Sequence, residues 1–240
     1  MVVPKEIISE IYPNSPLEEV VFEIRFPGEP VVEGRRDIFY DLVRKDYPKV
    51  LVPSTKEGSF VALEPYRFEK EDASSGVMLA INKLSYYSRK YPGFKEFRKE
   101  SLGLISKFRK AYPRISKLSR TGFRYVNIIP FTREEGLIPV ENFLTVSLKV
   151  PGTIPEKYNN ISIGFISESD GGSITTRIET MATADKSGEA MLLDIDYAKE
   201  KKLTVTAVNK YIDESHKRAR QVFEDLITEN YRLFLRGETL

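Results

Sequence analysis

Apolar positions recur at helical spacing over one long run near the end of the chain. Val208, Ile212, Ala219, Val222, Phe223, Leu226, Ile227 and Phe234 follow one another at spacings dominated by three, four and seven. These spacings place them on one helix face. Lys210, Asp213, Lys217, Arg220, Asp225, Glu229 and Arg232 fill the other face. The pattern predicts a single helix over 206–235, with Thr206 as its N-cap and Gly237 as the exit. At about 1.5 Å per residue such a rod would be roughly 45 Å long. A helix with one apolar stripe needs a broad floor, and the earlier segments supply candidates for it.

Residues 1–19 contain Pro4, Pro13 and Pro16 and read as an irregular arm. Residues 20–26 alternate, with Phe22, Ile24 and Phe26 on one side and Glu23 and Arg25 on the other. Period two of this kind marks a half-buried strand. A helix is predicted over 35–46, strands over 59–69 and 77–89, and a turn at 72–76 between them. A second helix is predicted over 94–112, its stripe formed by Phe94, Phe97, Leu104, Ile105, Phe108 and Tyr112. Pro113 ends it, and 119–131 reads as a long strand. Four further strands are predicted over 143–150, 161–167, 173–183 and 191–197. An Asp-Gly-Gly hairpin signal at 170–172 and a turn at 185–188 separate the later ones.

The order β-α-β-β-α-β is that of a ferredoxin-like unit. The expected fold is therefore α+β. It has a ferredoxin-like βαββαβ N-terminal half over 20–136. An antiparallel four-stranded C-terminal half over 137–240 packs on the long C-terminal helix. One continuous domain is the alternative division.

Several stretches together form a recognisable series. The first is Asn14-Ser-Pro-Leu-Glu-Glu-Val-Val-Phe-Glu-Ile-Arg-Phe26. The second is Arg120-Thr-Gly-Phe-Arg-Tyr-Val-Asn127, and the third is Leu193-Asp-Ile-Asp196. The closing helix adds Ile212, His216, Phe223, Ile227, Thr228 and Glu229. In order and spacing the series resembles a sporadically distributed prokaryotic family of uncharacterised proteins of about this length. That family opens with Asn-x-Pro-Leu-x-Glu-Val and closes with a His-containing long helix. The resemblance implies kinship and no activity. Its sporadic distribution implies mobile or defence-linked genes.

Composition narrows the chemistry. There is no Cys, which removes disulfides, thiolate metal sites and Cys nucleophiles. A single His removes any site that needs two imidazoles. No metal or cofactor is expected. No apolar run reaches the roughly 20 residues of a membrane span, and the first residues lack a signal pattern. The expected setting is cytoplasmic, with no membrane partner.

The net charge of +2 conceals a strong segregation. Residues 83–124 hold 13 basic and 2 acidic residues, whereas 1–82 hold 10 and 15 and 125–240 hold 14 and 18. Such asymmetry points to an acidic partner. Arg89, Lys95, Arg98, Lys99, Lys107, Lys110, Arg114 and Lys117 form the expected basic surface. Tyr86, Tyr87 and Tyr91 lie among them. Cations for phosphates with aromatic planes for bases is what single-strand binding uses. The plainer reading is a solvated helix face balanced by acids elsewhere in the fold.

Three other sets are candidates. Glu23, Arg25, Arg124 and His216 could line a charged sheet cavity that takes a phosphorylated small molecule, an enzyme site in that reading. Their simpler roles are surface ion pairs and a packed histidine. Arg124 needs a carboxylate, and Glu23 serves if their strands are neighbours. Asp194 and Asp196 share a strand face and could hold magnesium or orient His216; a charged outer face is the plainer reading. A homodimer through apolar residues of the long helix is the third class. A non-enzymatic module that meets nucleic acid or an acidic protein is the leading expectation.

Overall fold

The computed structural model describes residues 11–51, 66–147, 149–155, 157–169, 171–183 and 187–238. The first half runs β1 (Leu17–Arg25), α1 (Pro30–Gly34), α2 (Arg36–Val43), β2 (Lys49–Leu51), β3 (Tyr66–Glu69), β4 (Ser75–Ala80), β5 (Lys83–Ser88), α3 (Phe94–Ala111) and β6 (Lys117–Phe131). The second half adds α4 (Val140–Phe143), β7 (Ser162–Ser169), β8 (Gly172–Ala182), β9 (Glu189–Thr204), α5 (Val208–Leu226) and α6 (Glu229–Arg236).

All nine described strands belong to one sheet, in the order β2-β3-β4-β5-β1-β6-β9-β8-β7. Every pairing is antiparallel. This corrects the expected fold. A ferredoxin-like half beside a separate four-stranded half is not found, because β6 is bonded along both edges. It pairs with β1 on one side and with β9 on the other, so the sheet runs through the expected boundary without interruption. Long strands permit this: β6 has 15 residues and β9 has 16, enough to serve two neighbours each.

Three local expectations are also corrected. The strand over 77–89 is two strands, β4 and β5, folded back at Ile81-Asn82. Asn at a two-residue hairpin tip is ordinary turn chemistry. The strand over 143–150 is absent among its described residues; α4 ends at Phe143, and Leu144 makes a single bridge to Ile227. The long helix is two helices. A 3-10 turn at Val205–Ala207 precedes α5, so Thr206 is not the N-cap. The break at Ile227-Thr228 is stabilised from outside. Thr145 N–H donates to the Leu226 carbonyl, and Thr228 N–H donates to the Phe143 carbonyl. The Thr228 hydroxyl then caps α6 by accepting from Tyr231 N–H. Most of the strand expected over 59–69 lies outside the described residues, as do Asp170 of the hairpin and 185–186 of the next turn.

Alternation decides which side of the sheet is covered. Val20, Phe22, Ile24, Phe68, Val77, Leu79, Tyr86, Phe123 and Tyr125 point to the helices and are buried. Phe97 of α3 meets Tyr86 and Phe123, and Phe108 meets Phe26 and Phe39. The apolar stripe of α5 is buried against β6 and β9. The opposite side takes the intervening residues: Arg67, Lys83, Glu23, Arg25, Arg120, Arg124, Asp194 and Asp196. No helix among the described residues is long and apolar enough to cross a membrane.

Candidate functional site

The side of the sheet away from the helices carries a cleft of about 390 Å³. Its floor follows from the register. Arg67, Met78, Ser85, Glu23 and Gly122 lie opposite one another across β3, β4, β5, β1 and β6. Ser85 and Gly122 are short, while the rows beside them carry Lys83, Arg25 and Arg120 on one side and Tyr87 and Arg124 on the other. A low row between tall ones makes a depression.

Gly122 has a specific use here. A Cβ at that position would stand 2.8 Å from Nη1 of Arg120. Its absence lets the Arg120 guanidinium lie across the floor. Nη1 donates to Glu23 Oε1 at 2.8 Å, and Nη2 donates to Asp196 Oδ2 at 2.7 Å. Arg120 is thereby only 13% exposed, and Asp196 27%. Burial pushes the Asp196 carboxyl above its ordinary range, although Arg120 pulls it back. Arg124 forms a two-pronged pair with Asp194 at 2.6 and 2.8 Å.

Glu23 also accepts from Arg25 Nε at 2.6 Å and from the Ser85 hydroxyl at 3.2 Å. β1 and β6 are neighbours, as the proposed Glu23–Arg124 pair needs, but the carboxylate takes Arg120 and Arg25 instead. Asp194 and Asp196 do share a face. Each is held by an arginine and lies across the sheet from His216, so neither orients the imidazole.

His216 is a packing residue. Its ring stacks on Phe94 at 3.6 Å and 7°, and Nδ1 lies 2.7 Å from the Tyr125 hydroxyl. Burial, helped by the Arg220 charge, lowers its pKa to about 4. The unfolded ring protonates near 6.5. Its contribution to stability is thus whole above about pH 6.5 and is lost as pH falls toward 4. Denaturant midpoints should fall between pH 7 and 5, and the fall should shrink in His216→Gln. An equal fall in both proteins would count against this assignment.

The basic segment divides into two parts. Arg98 is clamped by Asp213 at 2.6 and 3.1 Å, and Lys107 by Asp46 at 2.9 Å. Lys99 lies 3.9 Å from Glu96, and Arg89 lies 3.4 Å from Glu19. Lys83, Lys90, Arg120 and Arg124 also reach carboxylates. Lys95 is engaged as well. Arg109, Lys110, Arg114 and Lys117 are exposed and have no ion pair among the described residues. Tyr86 and Tyr87 are buried, and Tyr91 packs edge-on against Tyr125, so none is an open stacking plane.

Sequence reasoning placed Glu23, Arg25 and Arg124 in one cleft but left His216 on the wrong side of the sheet. It missed Arg67, Lys83 and Arg120 as cleft residues. Their signal was the same period-two alternation, once strands β3, β5 and β6 are placed side by side. Leu17 to Arg25 of the first stretch, Arg120 to Asn127 and Leu193 to Asp196 fall on β1, β6 and β9, three neighbouring strands in the middle of the sheet. No protein-family model matches this chain, and no curated protein matches it.

Proposed function

We propose that this chain is a non-enzymatic binding protein that takes the phosphate backbone of a nucleic acid at one corner of the molecule. The corner comprises the end of α3, the link that follows it and the start of β6. One observation carries the reading. Of the 13 basic residues in 83–124, eight reach carboxylates and Lys95 is engaged as well; the remaining four, with no ion pair among the described residues, all lie between positions 109 and 117. Three of them, Arg109, Lys110 and Lys117, line a surface trough of about 570 Å³ together with Ser106, Thr204 and Thr206. No carboxylate among the described residues lines it. Cations and hydroxyls without acids are the groups that position phosphates. Two cations in the last turn of α3 also suit the helix dipole, which accounts for Arg109 and Lys110 but leaves Arg114 and Lys117 unexplained.

Backbone contact of this kind is sequence-tolerant and salt-dependent. With four phosphates neutralised, the logarithm of affinity should fall against the logarithm of salt with a slope of roughly −3 for a single strand. Fluorescence anisotropy with a labelled oligonucleotide across a salt series measures it. Replacing Arg109, Lys110, Arg114 and Lys117 together by Ser should abolish binding, and replacing any two of them should flatten the slope. Absence of binding at low salt to single and double strands alike, or unchanged binding by the variant, defeats the proposal. An acidic peptide that binds while nucleic acid does not would assign the corner to a protein partner instead.

A further inference from the structure

We infer that the cleft across the middle strands is a second, separate anion site, built for the phosphate or diphosphate group of a small molecule. Six cations line it: Arg25, Arg67, Lys83, Arg89, Arg120 and Arg124. Three carboxylates line it with them, those of Glu19, Glu23 and Asp196. Asp194 beside Arg124 and Glu69 beside Arg89 lie next to the cleft, and counting both still leaves the cations in excess by one. That excess favours an anion such as a phosphate ester.

The cations differ in how tightly they are held, and the difference has a direction. Arg120 and Arg124 make short bonds to acids and form a fixed floor and wall. Arg67 and Lys83 are loosely held, whereas Arg89 also donates to the Ala73 carbonyl at 3.2 Å and lies over the Tyr87 ring. Lys83 lies 3.9 Å from Glu23, and Arg89 lies 3.4 Å from Glu19 and 4.0 Å from Glu69. Arg67 has no ion pair among the described residues. Lys83 opens β5 and Arg89 follows its last residue, Arg67 lies two strands away on β3, and all three face the same depression. Positive groups left under-neutralised on one side of a walled cleft are free to close on an arriving anion.

A solvated antiparallel face would also carry charges, but mobile and wet ones. Here the floor is set in place. The Arg120 and Asp196 side chains keep little exposure, and Gly122 clears the path for the guanidinium. The volume suits a compact ligand, and the planar forks of arginine match phosphate oxygens in pairs. Among the described residues the cleft has no open aromatic plane, because Tyr87 is buried and its hydroxyl donates to Glu69. A stacked base is therefore not what it fits, which separates this site from the corner that takes nucleic acid.

Isothermal titration with inorganic pyrophosphate, in magnesium-free low-salt buffer, tests the assignment. Saturable one-to-one binding is expected. Arg67→Ala should weaken it at least tenfold while leaving the melting temperature unchanged, since Arg67 is exposed and has no ion pair to lose among the described residues. Arg67→Lys should recover part of the affinity. The corner variant described above should bind pyrophosphate as the parent does. No saturable heat with the parent protein overturns the site, as does equal affinity in Arg67→Ala. Loss confined to the corner variant overturns it too, by moving the anion to the other surface. Citrate binding more tightly than pyrophosphate would overturn the phosphate class.

Discussion

Phe123→Ala is expected to lower the unfolding free energy by about 3–5 kcal/mol, the range for removing a large buried aromatic. Phe123 has no exposed surface and stands where three layers of contact meet. Within the sheet it is the cross-strand partner of Phe22 on β1. From α3 it receives Phe97 at 5.6 Å and Phe94 at 6.2 Å between ring centroids. From α5 it receives His216 at 5.7 Å. Truncation leaves a cavity that β-strand backbone on one side and two helices on the other cannot easily close. Urea unfolding followed by far-ultraviolet circular dichroism measures the loss. A change below about 1 kcal/mol would remove Phe123 from the position assigned to it.

Glu224→Leu is expected to cost about 2–4 kcal/mol. Glu224 is 7% exposed and is the joint between α5, α6 and the N-terminal arm. Its carboxylate accepts from the Tyr12 hydroxyl at 2.8 Å, from Arg220 Nε at 2.7 Å, and from Arg232 of α6. Removing one partner of a buried pair costs roughly 3–5 kcal/mol because the other charge stays behind. Arg232 and Arg220 keep 16% and 23% exposure, so water recovers part of that. The effect should be local as well as global. Limited proteolysis should cut the variant at the Ile227-Thr228 break faster than the parent. An unchanged cleavage rate together with unchanged stability would show that α6 is held without this carboxylate.

The helix break shows how a local signal can be outvoted. Ile227 and Phe234 continue the apolar spacing of α5 across the junction, so periodicity alone reads one rod. Thr228-Glu229 carried the opposing signal, a capping hydroxyl followed by an acid in the first turn. What settles the contest is a partner 81 residues away in sequence: Thr145 bonds to the Leu226 carbonyl that a continued helix would have used. The same distance effect governs the basic segment. Arg98 and Lys107 look like free cations in sequence, and they are neutralised by Asp213 and Asp46 from other elements.

Read alone, the sequence determined which residues on a strand share a side, where α3 lies and where strand β6 runs. It also put Glu23 and Arg25 opposite the apolar side and ruled out cysteine chemistry. These follow from backbone geometry, whose periods of two and 3.6 depend only on neighbours along the chain. The tertiary structure decided that β6 joins β1 to β9 in one sheet, that Arg120 rather than Arg124 meets Glu23, and that four cations remain at one corner. Such outcomes depend on which strands lie side by side and which charges then fall within a few ångströms. Period and propensity carry no information about that, because pairing partners are chosen by the packing of the whole chain.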